Sequence, residues 1–268
     1  MAEEPNTDQQ ISDEWRRILI EGHRPLAFLR LTFAHLPSPP RCKLCSNPFE
    51  GFGGRIVRIA GFTRSRKNPN LCSRCCESLP VGGAEIDIAV LFADVRASTH
   101  LGEQLAPAEF ASIMNRFYRG TNAVLLDHDA IIDKLIGDEV MALFIPGIAG
   151  NGYRQRCVDA AITLVRALAR QPGGGVPIGV GVHAGPAYVG NVGGEGVVDF
   201  TALGDTVNVA ARLGSAAEPG EILVSDELWS GLERRPPASK PRPFEARGKD
   251  QPLDVRSVRL RAAVPDRG

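Results

Sequence analysis

One short motif constrains this chain more than any other: Gly137-Asp138 set between two β-like apolar runs, Ala130 to Ile136 and Glu139 to Ile145. That pattern signals a tight hairpin. A longer apolar run, Ile86 to Ala93, ends on a second aspartate, Asp94, and passes abruptly into Val95-Arg96-Ala97-Ser98-Thr99. Between the two motifs Phe110, Ile113, Met114, Phe117, Thr121, Val124 and Leu125 recur at helical spacing over residues 107–126. Strand, helix and hairpin form a split βαββ unit, in which the hairpin's second strand lies antiparallel beside the first. The end of one strand then meets the start of the other, and Asp94 and Asp138 share a sheet edge. Taken singly, such an aspartate is more often a cap or turn residue. Two of them together, beside a short loop, suit Mg²⁺ held against a triphosphate.

The second constraint is a set of cysteines. Six occur in 268 residues, and four fall as Cys42-x2-Cys45 and Cys72-x2-Cys75. The acidic, polar start, Met1 to Gln10, is unlike a secretory signal, which makes the cytoplasm the expected location. There, paired spacing reads as metal ligation before disulfide formation, and the expectation is one structural Zn²⁺ in a zinc-ribbon-like module over residues 41–79. Gly51, Gly53, Gly54 and Gly61 suit tight turns around it. Arg55, Arg58, Arg64, Arg66 and Lys67 face only Glu50 in that interval, and four thiolates on one zinc would leave negative charge for them to offset. Cys76 is surplus, and Cys157 belongs in a helix core. Lysine plus arginine and aspartate plus glutamate each number 31, so no net field points to nucleic acid or to a membrane surface. No apolar run reaches the length of a spanning helix.

Ahead of the cysteines, Ile11, Trp15, Ile18, Leu19, Leu26, Leu29 and Phe33 recur at near-helical spacing, interrupted by Pro25. A helical segment over residues 1–40 is expected, its stripe packing within the chain or against a copy of it. After the hairpin a helix is expected from about Gly152 to Arg170, then a strand Ile178 to His183 and a second extended stretch through Gly190-Asn191-Val192-Gly193. Val197 to Leu203 reads as a strand meeting a helix at Gly204-Asp205, with Asp205 as its N-cap. Asn208 and Arg212 lie one helical turn apart on a single face. Short strands at 221–224, 244–246 and 253–258 complete a domain over residues 85–258. The fold class expected is α+β: a ferredoxin-like βαββαβ centre behind a small helical and zinc-ribbon-like N-terminal part.

Four stretches in order carry a resemblance to a known family. They are Leu91-Phe92-Ala93-Asp94-Val95-Arg96 with Ser98-Thr99, Lys134-Leu135-Ile136-Gly137-Asp138, Gly181-Val182-His183-Ala184-Gly185 with Gly190-Asn191-Val192-Gly193, and Thr201-Ala202-Leu203-Gly204-Asp205-Thr206-Val207-Asn208-Val209-Ala210-Ala211-Arg212. Together they resemble the catalytic domain of class III nucleotidyl (adenylate/guanylate) cyclases. The resemblance implies two Mg²⁺ or Mn²⁺ ions per site on Asp94 and Asp138, and phosphate cradled by the backbone of Val95, Ala97, Ser98 and Thr99. It also implies a purine read by Lys134 and Thr201, a ribose oriented by Asn208, and transition-state charge met by Arg212. Family sites form between head-to-tail subunits, so a homodimer is implied. A lysine donor and a hydroxyl acceptor fit N1 and N6 of adenine, whereas guanine offers a donor at N1 that lysine cannot meet. ATP is therefore the expected substrate and cyclic AMP the product, with guanylate cyclase, or a catalytically weak nucleotide-binding regulator, as alternatives. Many members carry aspartate at the Thr201 position; threonine resembles a subset sometimes linked to bicarbonate response. Ala97-Ser98 stands where Gly-Phe is common, and Pro186 where some members have arginine. The resemblance also allows a phosphate-binding cation at Arg247 or Lys249.

Overall fold

The computed structural model describes residues 7–21, 40–65, 68–77, 81–171, 175–194, 197–245 and 251–260. Its organising strand is β1 (Gly82–Val95), and its two-residue alternation explains why the stretch is apolar nearly throughout. Ala89, Leu91, Ala93 and Val95 face one way, into a core with Phe117, Leu125, Leu164 and Leu168. Ile86, Ile88, Val90 and Phe92 face the other way, into a second core with Trp15, Leu19, Leu44, Phe49 and Leu71. A strand covered on both faces needs no polar alternation.

The first core is roofed by α5 (Pro107–Asp127) and α7 (Tyr153–Ala169). The hairpin β2 (Ile131–Ile136) and β3 (Glu139–Phe144) forms as expected, and β3 pairs antiparallel with β1. The remaining strands are β4 (Ile178–Gly194), β5 (Val197–Leu203), β6 (Glu221–Ser225), β7 (Arg242–Phe244) and β8 (Leu253–Arg259). They assemble in the order β2-β3-β1-β4-β6-β8-β7, with β5 on β4, so β1 to β4 keep the ferredoxin-like arrangement. Helices α8 (Asp205–Ala216) and α9 (Asp226–Ser230) follow β5 and β6, while α4 (Ser98–Gln104) and α6 (Pro146–Ala149) are short connectors.

The second core is closed by α1 (Thr7–Glu21) and by the cysteine segment with α2 (Gly51–Ile59) and α3 (Ser73–Glu77). Trp15 is fully buried and stacks on Phe200 at 6.1 Å between ring centroids, so the α1 stripe is used within the chain. Residues 1–6 and 22–39 of the expected helical segment lie outside the described residues, as do Arg66, Lys67, Arg247 and Lys249.

Three local expectations are corrected. β4 is one continuous strand where two stretches were expected, although Pro186 sits inside it. Pro186 faces Asp87 of β1; β6 pairs only with Val180 to Val182 and β5 only from Tyr188 onward, so the missing N–H deprives no ladder partner. Gly51, Gly53 and Gly54 belong to α2 instead of turns, and a Cβ on Gly54 would lie 2.6 Å from the Phe49 carbonyl carbon. Asp205 is the first residue of α8, and the cap is Gly204, at φ +132, a conformation open to glycine.

Candidate active site

The register of β1 against β3 pairs Asp94 with Glu139, which sets Asp94 beside the turn carrying Asp138. Gly137, at φ +59, makes that turn, and the Tyr118 hydroxyl donates to its carbonyl. Asp138 lies near enough to Asp94 for its charge to be felt there. Ser98 donates its hydroxyl to Asp138 Oδ2, and the Val95 N–H donates to the Asp138 carbonyl at 3.0 Å. Burial raises the Asp94 pKa, Arg96 opposes the rise, and the neighbouring Asp138 adds to it. Glu139 is pushed up to about 7, first by burial and then by the charges of Asp94 and Asp138. Asp94, Asp138 and Glu139 thus gather at one edge, where the charge of Asp138 disfavours ionisation of the other two, and oxygen-only donors of this kind fit Mg²⁺ or Mn²⁺.

Arg96 closes the first of the four motifs, where the sequence assigns it no role. Its Nη2 lies 2.5 Å from Asp94 Oδ2, while Nη1 and Nη2 donate to the carbonyls of Ser215 and Gly214 at 2.9 and 3.0 Å. It thus closes the C-terminal end of α8 and fixes one oxygen of Asp94. Its role was invisible in sequence because the carbonyls it meets lie well over a hundred residues away.

The expected phosphate cradle is only partly free. The Val95 amide is committed to Asp138 and that of Arg96 to the Pro177 carbonyl at 2.8 Å. The amides of Ala97, Ser98 and Thr99 remain at the start of α4. Ala97 takes φ +60 and ψ +23, a left-handed conformation in which a Cβ is strained.

A second cluster lies where β5 returns against β2. Lys134 Nζ donates to Thr201 Oγ1 at 2.6 Å, and Thr201 Oγ1 donates to Asp133 Oδ2 at 2.7 Å. Lys134 also pairs with Asp133 at 3.3 Å and Asp199 at 3.7 Å. The fully buried Asp133 side chain was missed because nothing in sequence marks a bulge in β2.

Helix α8 is laid tightly across β1 and β4. A Cβ on Gly181 would lie 2.0 Å from the Gly214 nitrogen, and one on Gly214 2.9 Å from Phe92 Cβ. That contact turns Asn208 to solvent and leaves Arg212 half-buried. Neither side chain makes a hydrogen bond or ion pair among the described residues, so both are available to a ligand. One chain therefore brings together Asp94 with Asp138 and Lys134 with Thr201, while Asn208 and Arg212 join neither pair by a bond.

The cysteine cluster is built differently. The sulfurs of Cys42, Cys45, Cys72 and Cys75 all lie within 4.8 Å of one another, are buried, and form no disulfide. A tetrahedron of Zn–S bonds of about 2.3 Å spaces its sulfurs about 3.8 Å apart. Cys45 and Cys72 are 3.8 Å apart. The amides of Cys72 and Cys75 donate to the sulfurs of Cys42 and Cys72 at 3.3 and 3.4 Å, as suits thiolate acceptors. The four can hold Zn²⁺. Cys157 is buried in α7, where burial alone drives its pKa well up.

Residues 84–253 match the family model of the adenylate and guanylate cyclase catalytic domain. The uncharacterised Mycobacterium tuberculosis protein Rv1320c is 30% identical over 221 residues, covering 80% of this chain and 36% of its own length. Rv1318c from the same organism is 33% identical over 189 residues, 66% of this chain and 33% of its own. The chain spans about a third of the length of these curated relatives. Among solved structures, the adenylyl cyclase CyaB from P. aeruginosa superposes with a TM-score of 0.61 at 25% identity, over 69% of this chain and 100% of that one. The guanylyl cyclase Cya2 superposes with a TM-score of 0.62 at 24% identity, over 66% and 93%, a likeness of fold. Among the described residues no helix is long and apolar enough to cross a membrane.

Proposed function

Since the chain belongs to the adenylate and guanylate cyclase catalytic domain family, we propose that it converts ATP to 3′,5′-cyclic AMP and pyrophosphate, at sites shared by two head-to-tail copies. The observation that carries the choice of purine is the 2.6 Å contact from Lys134 Nζ to Thr201 Oγ1. The pair offers a donor and an oxygen acceptor side by side. Adenine presents the complement, an acceptor at N1 and an amine at N6, whereas guanine presents a donor at N1 that would face the ammonium.

Asp94 and Asp138 hold the divalent ions, which when bound make the ribose 3′-hydroxyl more acidic and neutralise the β- and γ-phosphates. Asn208 orients the ribose so that its 3′-oxygen stands in line with the bond to pyrophosphate. As the new bond to the α-phosphorus forms, that bond breaks, and the 3′ proton leaves to solvent. Arg212 meets the charge gathering on the α-phosphoryl oxygens, where a guanidinium donates to two oxygens at once. The Ala97, Ser98 and Thr99 amides support the departing phosphates. Asn208 and Arg212, bonded to neither cluster of their own chain, suit a partner copy's Asp94 and Asp138.

Purified protein incubated with ATP or GTP and Mg²⁺ or Mn²⁺ provides the test. Cyclic AMP from ATP is expected as the main product. Cyclic GMP as the main product would overturn the purine assignment, and no cyclic nucleotide from either substrate would overturn the activity.

A further inference from the structure

We infer that Asp133 sets the purine preference of the site by holding the Thr201 hydroxyl as a pure hydrogen-bond acceptor. The inference rests on the adenine reading above and adds to it a residue that never touches the base. Its origin is a backbone irregularity. Across β2 and β3, Ile132 pairs with Ala142 and Lys134 with Met141, so Asp133 has no partner in the ladder. In a regular strand Asp133 and Lys134 would face opposite sides. The bulge re-aims them, and both reach Thr201 on β5.

The consequence follows from counting protons. A threonine hydroxyl has one proton to give and two lone pairs. The Lys134 ammonium has nothing with which to accept, and the Asp133 carboxylate has nothing to donate. At 2.7 Å the carboxylate therefore takes the hydroxyl proton, and at 2.6 Å the ammonium takes one lone pair. The Ala202 carbonyl, at 3.5 Å, is too distant to compete for the proton. One lone pair is left for a ligand. An incoming amine, such as N6 of adenine, satisfies it; the O6 carbonyl of guanine would set two acceptors against each other. Because Thr201 is only 5% exposed, water cannot easily mediate that clash.

A free hydroxyl rotor would serve either purine. Asp133 removes that freedom, and its own burial, with 0% side-chain exposure, keeps the carboxylate from turning away. It is a positioning residue acting through Thr201.

The test measures binding of 3′-deoxy-ATP and 3′-deoxy-GTP, which lack the attacking hydroxyl, so affinity is read even if turnover is slow. In Asp133→Asn the side-chain amide donates to Thr201 and releases its proton toward the base. The ratio of the two dissociation constants is expected to narrow by about tenfold. In a Thr201→Val background the same substitution should leave the ratio unmoved, closing the double-mutant cycle. Thermal unfolding of each variant accompanies the titrations. If Asp133→Asn does not fold, Thr201→Val alone decides: loss of an acceptor-only hydroxyl weakens the adenosine analogue about tenfold and spares the guanosine analogue, while loss of a free rotor weakens both. An unchanged ratio in Asp133→Asn, or an equal change with and without Thr201, would overturn the role of Asp133. A wild-type preference for 3′-deoxy-GTP with a cycle that still closes would overturn the adenine reading alone.

Discussion

The cysteine cluster and the carboxylate edge are both candidate metal sites, and they are opposites in construction. Four sulfurs close on one another within 4.8 Å, all buried, with backbone amides already turned toward them. At the other site two aspartates and a glutamate crowd the rim of a sheet, where burial and neighbouring carboxylates raise the pKa of Asp94 and Glu139, with one Asp94 oxygen held by Arg96. A closed set of soft donors suits a resident structural ion; an open set of hard donors suits ions that arrive with a substrate. The first site is complete in one chain. At the second, Asn208 and Arg212 make no side-chain bond among the described residues, which suits the proposal that a second copy completes the site.

The contrast breaks most sharply at Cys72. Metal analysis should find about one zinc per chain in the wild type and none in Cys72→Ser, and the loss should melt more than the loop. The cysteine segment supplies Leu44, Phe49 and Leu71 to the second core, its Asn70 amide donates to the Leu126 and Ala130 carbonyls, and Lys43 pairs with Asp129. Uncovering that face should cost several kcal/mol, on the order of two or three buried side chains at about 2 kcal/mol each. A wild-type protein without zinc, melting at the same temperature as Cys72→Ser, would make the cluster a plain thiol core.

The carboxylate edge should respond in the reverse way. Asp94→Ala should leave folding nearly intact, since it removes a mutual repulsion, yet lower cyclic nucleotide formation by about a hundredfold or more. Asn208→Ala should do likewise. Mixing the two inactive proteins should restore activity, to about a quarter of wild type when dimers form at random, because one of the two sites in a mixed dimer is intact. Mixed samples no more active than either parent would confine the site to one chain.

This contrast also marks what sequence alone could reveal. Paired Cys-x2-Cys spacing is local, so the four sulfurs were legible from the chain itself. Asp94 and Asp138 became a pair only by assuming a strand, helix and hairpin, and the Asp94–Glu139 register bears that assumption out. That β1 is covered on both faces, on one by α5 and α7 and on the other by α1 and the cysteine segment, is a property of the assembled sheet and was not read from its apolar run. Asp133 and Arg96 stayed hidden for another reason. The contacts of Asp133 depend on a bulge and those of Arg96, although it stands in a motif, on carbonyls of a distant helix end, and neither set leaves a periodicity. The continuity of β4 through Pro186 depended on where its neighbours stop, which is a property of the sheet and not of the proline.

The smallest expected effect lies in the loop joining the two aspartates' surroundings. Ala97 holds φ +60, where a Cβ costs about 1–2 kcal/mol relative to glycine. Glycine would in turn enlarge the freedom of the unfolded chain by about 0.4–1 kcal/mol. The difference favours Ala97→Gly by about 0.5–1 kcal/mol, a rise of about 2 °C in thermal unfolding for a chain of this size. The sign is the informative part. Stabilisation would mean that the strain is real and that the carbonyl of Ala97, which caps Leu101 at 3.0 Å, holds the loop against it. A drop in stability would instead mean that Ala97 relaxes in solution, and the Ala97, Ser98 and Thr99 amides would then not be fixed beside Asp138 before a nucleotide binds.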